Sequence, residues 1–273
     1  MRVTVLGSGS SGNAILVESG RTRLLIDAGF SGVDLERRLA AVEVPPEAID
    51  ALLITHDHSD HTKGMGVVAR RWGIPLDLTE RTHAACRRLL RGDETVIAYS
   101  SSAPVQVGDL RVDPFLTVHD AVDPVAVTVT DANGEHKLGI ATDLGRPTAT
   151  VRAALRDCTM LVLESNYDDL MLREADYPWS VKSRIASSHG HLSNRSAAEL
   201  AVELTHERLA CVVLAHLSER ANAASLAEEV VGTALRAARY RGPLRTGRQH
   251  EPLEPIDVTA AARRLEPAQL PLL

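Results

Sequence analysis

Ala51-Leu52-Leu53-Ile54-Thr55-His56-Asp57-His58-Ser59-Asp60-His61 is a short apolar run that breaks into a dense group of ligand-type side chains. Apolar residues without interruption, bounded by a polar turn, read as a buried strand over 51–54. In the extended loop that follows, residues two apart point the same way, so His56 and His58 can converge on one cation. A helical pattern begins near residue 62, which turns Asp60 and His61 toward a neighbouring position. One segment can thus serve two adjacent cations, and its mixture of imidazole and carboxylate suits zinc, manganese or iron. A histidine-rich loop can also be surface decoration, but four potential ligands at this spacing, at the end of a buried strand, seldom arise by chance.

A closed dinuclear site needs more ligands, and three candidates end later apolar runs. They are His119 after 112–118, Asp143 after 138–142 and His216 after 212–215. Each alone is more simply a turn residue satisfied by a local hydrogen bond; their joint placement makes them candidates.

Further out, β-branched runs alternate with helical periodicity. Strands are predicted near 2–6, 14–18, 22–27 and 51–54, with helices near 33–41, 62–72 and 80–90. A second strand-rich block covers 95–98, 104–107, 110–118, 125–131 and 136–142. Helices return near 148–155, 179–187, 194–206 and 223–240, around a buried strand at 210–214. This order predicts an α/β (α+β) chain in which two mixed sheets pack together with helices outside, as one domain over 1–273.

Composition narrows the function. A chain of 273 residues with 44% hydrophobic content suffices for one sizeable core. It has no uninterrupted apolar run of the ~18 residues a membrane span needs, and MRVTVLGSGSSGN does not read as a secretion signal, so the expectation is a cytoplasmic protein. Cys86, Cys158 and Cys211 have no metal-ligand spacing and read as small core residues of a reducing compartment. The net charge of −6 excludes a protein coated in basic residues, and eight aromatics exclude a platform that stacks many bases. One basic strip remains, Arg236, Arg239, Arg241, Arg245 and Arg248, with no acid between Val230 and His250. It can follow a nucleic-acid backbone, although a solvated helix and tail in a chain rich in arginine is the plainer reading.

Four further segments accompany the histidine loop: Gly7-Ser8-Gly9-Ser10-Ser11-Gly12-Asn13, Glu164-Ser165-Asn166-Tyr167-Asp168, Ser188-His189-Gly190-His191-Leu192-Ser193-Asn194 and Ala215-His216-Leu217-Ser218-Glu219-Arg220. Together with HxHxDH and the three strand-end residues, the sequence resembles the metallo-β-lactamase fold hydrolases over nearly its whole length. It is most similar to their YycJ/WalJ branch, near the tRNase Z and PhnP phosphodiesterases. The resemblance implies a four-layer αβ/βα metallo-β-lactamase sandwich. It also implies that His56, His58 and His119 hold one metal and Asp60, His61 and His216 a second, with Asp143 bridging. Asp27 of Leu25-Ile26-Asp27-Ala28-Gly29 would support the ligand loop from behind, a role that a ligating histidine needs for its other nitrogen. Ser8, Ser10 and Asn13 would contact a phosphate, though such loops are also ordinary tight turns. His191 would aid the phosphate or leaving group, and His189 points the same way if the segment is extended. Ser193 or Asn194 caps a helix there, and Asn194 joins Arg236, Arg239 and Arg241 among the candidate substrate contacts.

The implied cofactors are two divalent ions per chain, Mn²⁺ or Zn²⁺, whose bridging hydroxide attacks phosphorus while His191 protonates the leaving oxygen and Asp60 orients the nucleophile. The implied activity is a 5′ to 3′ exonuclease on double-stranded DNA. A small cyclic phosphodiester of the PhnP kind stays open, although the cysteines of that group's structural zinc are not seen, and so does another hydrolase of the fold acting on a carbonyl. A flavin-linked di-iron enzyme usually has Glu where His58 stands, and a scaffold would not need all seven ligands.

Overall fold

The first half of the chain forms β1 (Arg2–Gly7), β2 (Ala14–Ser19), β3 (Thr22–Ile26), α1 (Gly32–Ala41), β4 (Ala51–Leu53), α2 (Ser59–Thr62), α3 (Met65–Trp72), β5 (Leu76–Thr79), α4 (Glu80–Cys86) and β6 (Val96–Tyr99). The second half forms β7 (Val105–Val107), β8 (Leu110–Leu116), β9 (Val125–Asp131), β10 (Lys137–Ala141), α5 (Ala149–Leu155), β11 (Met160–Glu164), α6 (Asp169–Glu174), α7 (Trp179–Ile185), α8 (Asn194–Glu203), β12 (Cys211–Ala215), α9 (Ala224–Ala237), β13 (Leu244–Thr246), β14 (Ile256–Asp257) and α10 (Val258–Arg263). The structure is a computed structural model that describes residues 1–265; positions 266–273 of the predicted domain lie outside the described residues.

The strands form two seven-stranded sheets, ordered β14-β1-β2-β3-β4-β5-β6 and β13-β12-β11-β10-β9-β8-β7. Each is mixed. β1, β2 and β3 pair antiparallel, then β3 to β6 run parallel. In the second sheet β7 to β10 pair antiparallel and β10 to β13 run parallel. Side chains of a strand alternate between its faces, and the sequence uses both. Val3, Val5, Ile15, Val17, Val127, Val162 and Val213 meet between the sheets. Leu6, Leu16 and Leu25 pack outward on Leu35, Leu39, Met65 and Val68 of the first helical layer. Leu161, Leu163, Val212 and Leu214 pack on Val151, Ala197 and Val231 of the second. The result is the four-layer αβ/βα metallo-β-lactamase sandwich.

Several elements lie outside the predicted ranges. β11 is buried on both faces and so lacks the alternation that marks a strand. β13 and β14 have three and two residues, and α6 six, too few for a period to show. α10 also lies beyond the predicted helices. The helix predicted over 62–72 is divided at Gly64, whose N–H donates to the Ala28 carbonyl at 2.8 Å. A Cβ there would lie 2.0 Å from the Phe30 carbonyl oxygen, so the chains cross too closely for a side chain. β5 was obscured because its inward positions are the polar Asp77 and Thr79.

Asp77 sets a cost inside this frame. It is 2% exposed, and its Oδ1 has no hydrogen-bond partner among the described residues. Burial raises its carboxyl to about 6, against about 3.9 in an unfolded chain. Between those values the folded state keeps a proton that the unfolded state has lost, so this residue's contribution falls as pH rises through the window and stays low above pH 6. Asp77→Asn is therefore expected to raise Tm at pH 8, by about 2–4 °C for each kcal/mol recovered, and to give a smaller gain at pH 5. Equal gains at both pH values in thermal denaturation would contradict this.

Candidate metal centre

Parallel strands deliver the residues that follow them to one end of a sheet. Both sheets open at the same end, because Val125 N–H at the start of β9 donates to the Thr55 carbonyl beyond β4. Asp27 follows β3, Thr55 to His61 follow β4, His119 lies beyond β8, Asp143 follows β10, Glu164 ends β11 and His216 follows β12. Asp27, Asp143 and His216 have φ of 63°, 58° and 55°. This left-handed region costs a residue with a Cβ roughly 1–2 kcal/mol, and such strain gathers at functional sites.

The side chains converge as two groups that share a carboxylate. His56, His58, His119 and Asp143 offer atoms within 4.8 Å of one another, as do Asp60, His61 and His216. His58 Nδ1 is 3.2 Å from His119 Nε2, and His216 Nε2 is 3.1 Å from Asp60 Oδ2. Between them Asp143 Oδ1 lies 3.5 Å from His119 Nε2 and 3.6 Å from His216 Nε2, while its Oδ2 lies 3.2 Å from His61 Nε2. A third group adds Glu164 and His191 to Asp143 and His216.

Each histidine has an oxygen behind it. Asp27 Oδ2 lies 2.7 Å from His61 Nδ1, Gly190 O 3.0 Å from His119 Nδ1, and Glu164 Oε1 3.1 Å from His216 Nδ1. Thr55 Oγ1 lies 3.0 Å from His56 Nδ1 and donates to Asp27, and Asp120 O lies 3.2 Å from His58 Nε2. An N–H on that side leaves the opposite nitrogen as a lone pair facing the centre, the form in which imidazole ligates.

The charge balance fits cations. Asp27, Asp60, Asp143 and Glu164 are grouped here, and their positive ion-pair partners are histidines alone among the described residues. Burial opposes a charged His216, yet Asp143, Asp60 and Glu164 hold it up at about 10. Burial likewise opposes the Glu164 anion, but His191 and His216 bring its carboxyl down to about 2. His56 is pushed well below its ordinary value by burial and by its histidine neighbours, so it is neutral. Its Nε2 is buried without a hydrogen-bond partner among the described residues, and Asp143 Oδ2 is likewise unpartnered by hydrogen-bond geometry. Buried lone pairs of this kind are the donors that a divalent cation satisfies, and the group can hold such ions.

His191 lines a pocket of about 200 Å³ beside the group, with Ser10, Arg184 and Ile185 among its other walls. His189 is exposed and turned out, because 186–190, after α7, is a chain of turns with Gly190 N–H on the Ser187 carbonyl rather than an extended segment. Ser8 and Asn13 are buried braces: His216 N–H donates to Ser8 Oγ, and Asn13 Nδ2 lies 3.2 Å from Asp60 Oδ2. Asn194 is buried between Ser165 and Asn222, while Ser193 caps α8. None of these three offers a free face to a phosphate; Ser10 is the exposed member of its loop that lines the pocket. Of the arginine strip, Arg248 follows β13 at the cluster's end, where its carbonyl accepts from Ser8 N–H at 3.0 Å, but the candidate substrate contacts Arg236, Arg239 and Arg241 are not at the cluster. Arg236 lies in the last turn of α9, and Arg239 and Arg241 precede β13, at the end of the sheet opposite His216, because α9 runs away from the centre before the chain turns back. Glu164 was not singled out as a site residue. Its signal was available, since it ends the apolar run 160–163 just as Asp143 ends its own.

Comparison with known proteins agrees with this geometry. Residues 22–217 match the model of the beta-lactamase superfamily domain. The chain is 35% identical to exodeoxyribonuclease YycJ of Bacillus anthracis, over 86% of this chain and 89% of that one. It is 34% identical to exodeoxyribonuclease WalJ of Streptococcus pneumoniae, over 83% and 85%. The crystal structure of the metallo-beta-lactamase fold protein YhfI from Bacillus subtilis superposes with a TM-score of 0.72 at 19% identity, covering 93% of this chain and 99% of that one. With the sandwich, the ligand groups and these relatives together, the chain belongs to the metallo-β-lactamase superfamily and, within it, to the YycJ/WalJ family.

Proposed function

We propose that the protein is a phosphodiesterase that degrades double-stranded DNA from a 5′ end with two divalent ions, manganese or zinc. The observation that carries this is the pair of histidine groups sharing Asp143, with the His191–Glu164 pair at the pocket beside them. The exodeoxyribonuclease relatives support the choice of DNA. His56, His58, His119 and Asp143 would hold one ion, and Asp60, His61, His216 and Asp143 the other. When bound, such ions supply the positive charge that neutralises phosphoryl oxygens and activates water.

The chain's own groups do the rest. Asn13 and His216 fix Asp60, so its carboxylate can orient an attacking water as well as ligate. Glu164 Oε1 accepts from His191 Nδ1 at 2.7 Å, which sets the ring and leaves Nε2 to give a proton to the departing oxygen. Arg184, paired with Asp120 at the pocket wall, places a guanidinium where a phosphate enters. We also place the protein in the cytoplasm. Its three cysteines are free and buried, as suits a reducing compartment. No helix among the described residues is long and apolar enough to cross a membrane.

Duplex and single-stranded DNA and RNA, labelled at the 5′ or the 3′ end and incubated with Mn²⁺ or Zn²⁺, test the substrate. Early release of the 5′ label from duplex DNA is expected. Hydrolysis confined to small cyclic phosphodiesters would move the assignment to a PhnP-like activity.

Roles within the site separate by metal content. His61→Ala or Asp143→Ala is expected to abolish hydrolysis and to lose metal. His191→Ala is expected to lower kcat by about 10²–10⁴-fold with metal retained, measured by elemental analysis of the same preparation. Metal loss from the His191 variant equal to that of the His61 variant would make His191 a ligand instead.

A further inference from the structure

Between Tyr167 and His191 the chain leaves the sandwich and builds α6 and α7, of which α7 lines the metal pocket. Tyr167, Leu172 and Ala221 form a small core of their own there, with Tyr177 and Ile185 packed against it. α7 has two working faces. Val181, Arg184 and Ile185 line the metal pocket. Trp179 and Lys182 line a second, open groove of about 500 Å³, with Arg173, Arg195 and Asp169 also in its wall.

Trp179 is 80% exposed, more than any other large apolar side chain among the described residues. It stands in a groove whose lining holds Arg173, Lys182 and Arg195 against Asp169, in a chain of net charge −6. Asp169 is already taken, since Arg195 Nη2 donates to it at 2.6 Å. The Lys182 ammonium donates to the Arg173 carbonyl at 2.6 Å, which holds the cation in the groove wall that also carries Trp179, without neutralising it. An exposed aromatic among unspent cations matches a nucleic-acid strand, whose bases stack and whose phosphates pair. An apolar protein partner would leave these charges desolvated and unpaired. The two grooves are separated by one helix, about 10–12 Å across, a span of a few nucleotides at about 3.4 Å or more each.

Resting on the nuclease reading above, we propose that the outer groove of α7 carries the DNA strand beyond the metal pocket, with Trp179 stacked on a base and Arg173 and Lys182 facing its phosphates.

Two readouts of the full chain test this. The first is quenching of intrinsic fluorescence by oligo(dT), since the chain has only Trp72 and Trp179. The second is the ratio of kcat/KM for a 5′-labelled duplex to that for bis(p-nitrophenyl) phosphate. Trp179→Ala is expected to remove the quenching and to lower the ratio about 5- to 150-fold, the loss of one stacked base. Trp179→Phe is expected to restore most of the ratio. Wild-type ratios in Trp179→Ala, with the duplex still degraded by both proteins, would overturn the groove alone. A wild-type protein that cleaves the small diester but neither binds nor degrades any oligonucleotide would overturn the nuclease reading and the groove with it.

Discussion

Four carboxylates grouped in one place, with histidines as their only positive partners among the described residues, are the constraint on which the rest depends. A buried anion is costly unless it is paired and hydrogen-bonded. Asp27 and Glu164 are 4% and 0% exposed, and each is answered by imidazole and by backbone N–H groups. Asp143, at the centre, meets four histidines, His61, His119, His191 and His216, and keeps one oxygen without an aligned donor. The arrangement therefore has cation-binding capacity at its middle and orientation at its edge. Removing an outer carboxylate would free a histidine ring to rotate, so the outer groups matter as much as the ligands.

The fold is organised to hold that cluster against its own repulsion. The loops after β1, β3 and β4 brace one another through backbone bonds: Asn13 N–H to Asp60 O and Ala28 N–H to His61 O, each 2.8 Å. Gly29 sits in this weave so tightly that a Cβ would lie 1.6 Å from the Asp60 carbonyl oxygen. Ser8 accepts from His216 N–H and so joins the first sheet to the last ligand of the second. Beneath, Arg38 lies over Phe30 and donates to the carbonyls of Leu6 and Gln249, while Gln249 takes up the backbone of Ser11 and Gly12. A chemically demanding centre thus rests on a densely cross-linked edge of the sandwich.

Much of this was legible in the sequence because a strand-end residue announces itself. An apolar run that stops at His, Asp or Glu marks both a buried strand and the side chain it delivers, which is how His119, Asp143 and His216 were found and how Glu164 could have been. What the sequence hid was direction. Ser8, Asn13 and Asn194 have the chemistry to contact a phosphate, and the same chemistry lets them brace backbone, which is their use here. His189 and His191 are two apart, but a tight turn separates their rings. The arginines from Arg236 to Arg248 are contiguous in sequence and split in space by the reversal into β13. Trp179 gave no periodic signal, since only its exposure and its neighbours distinguish it.

The central claim is that the cluster is a dinuclear centre. Anomalous diffraction from crystals grown with Zn²⁺ or Mn²⁺, recorded on both sides of the metal edge, tests it most directly. The account requires two peaks about 3.5–4 Å apart, one among His56, His58 and His119 and the other among Asp60, His61 and His216, with Asp143 reaching both. A single peak, or none within ligand distance of these side chains, would contradict it.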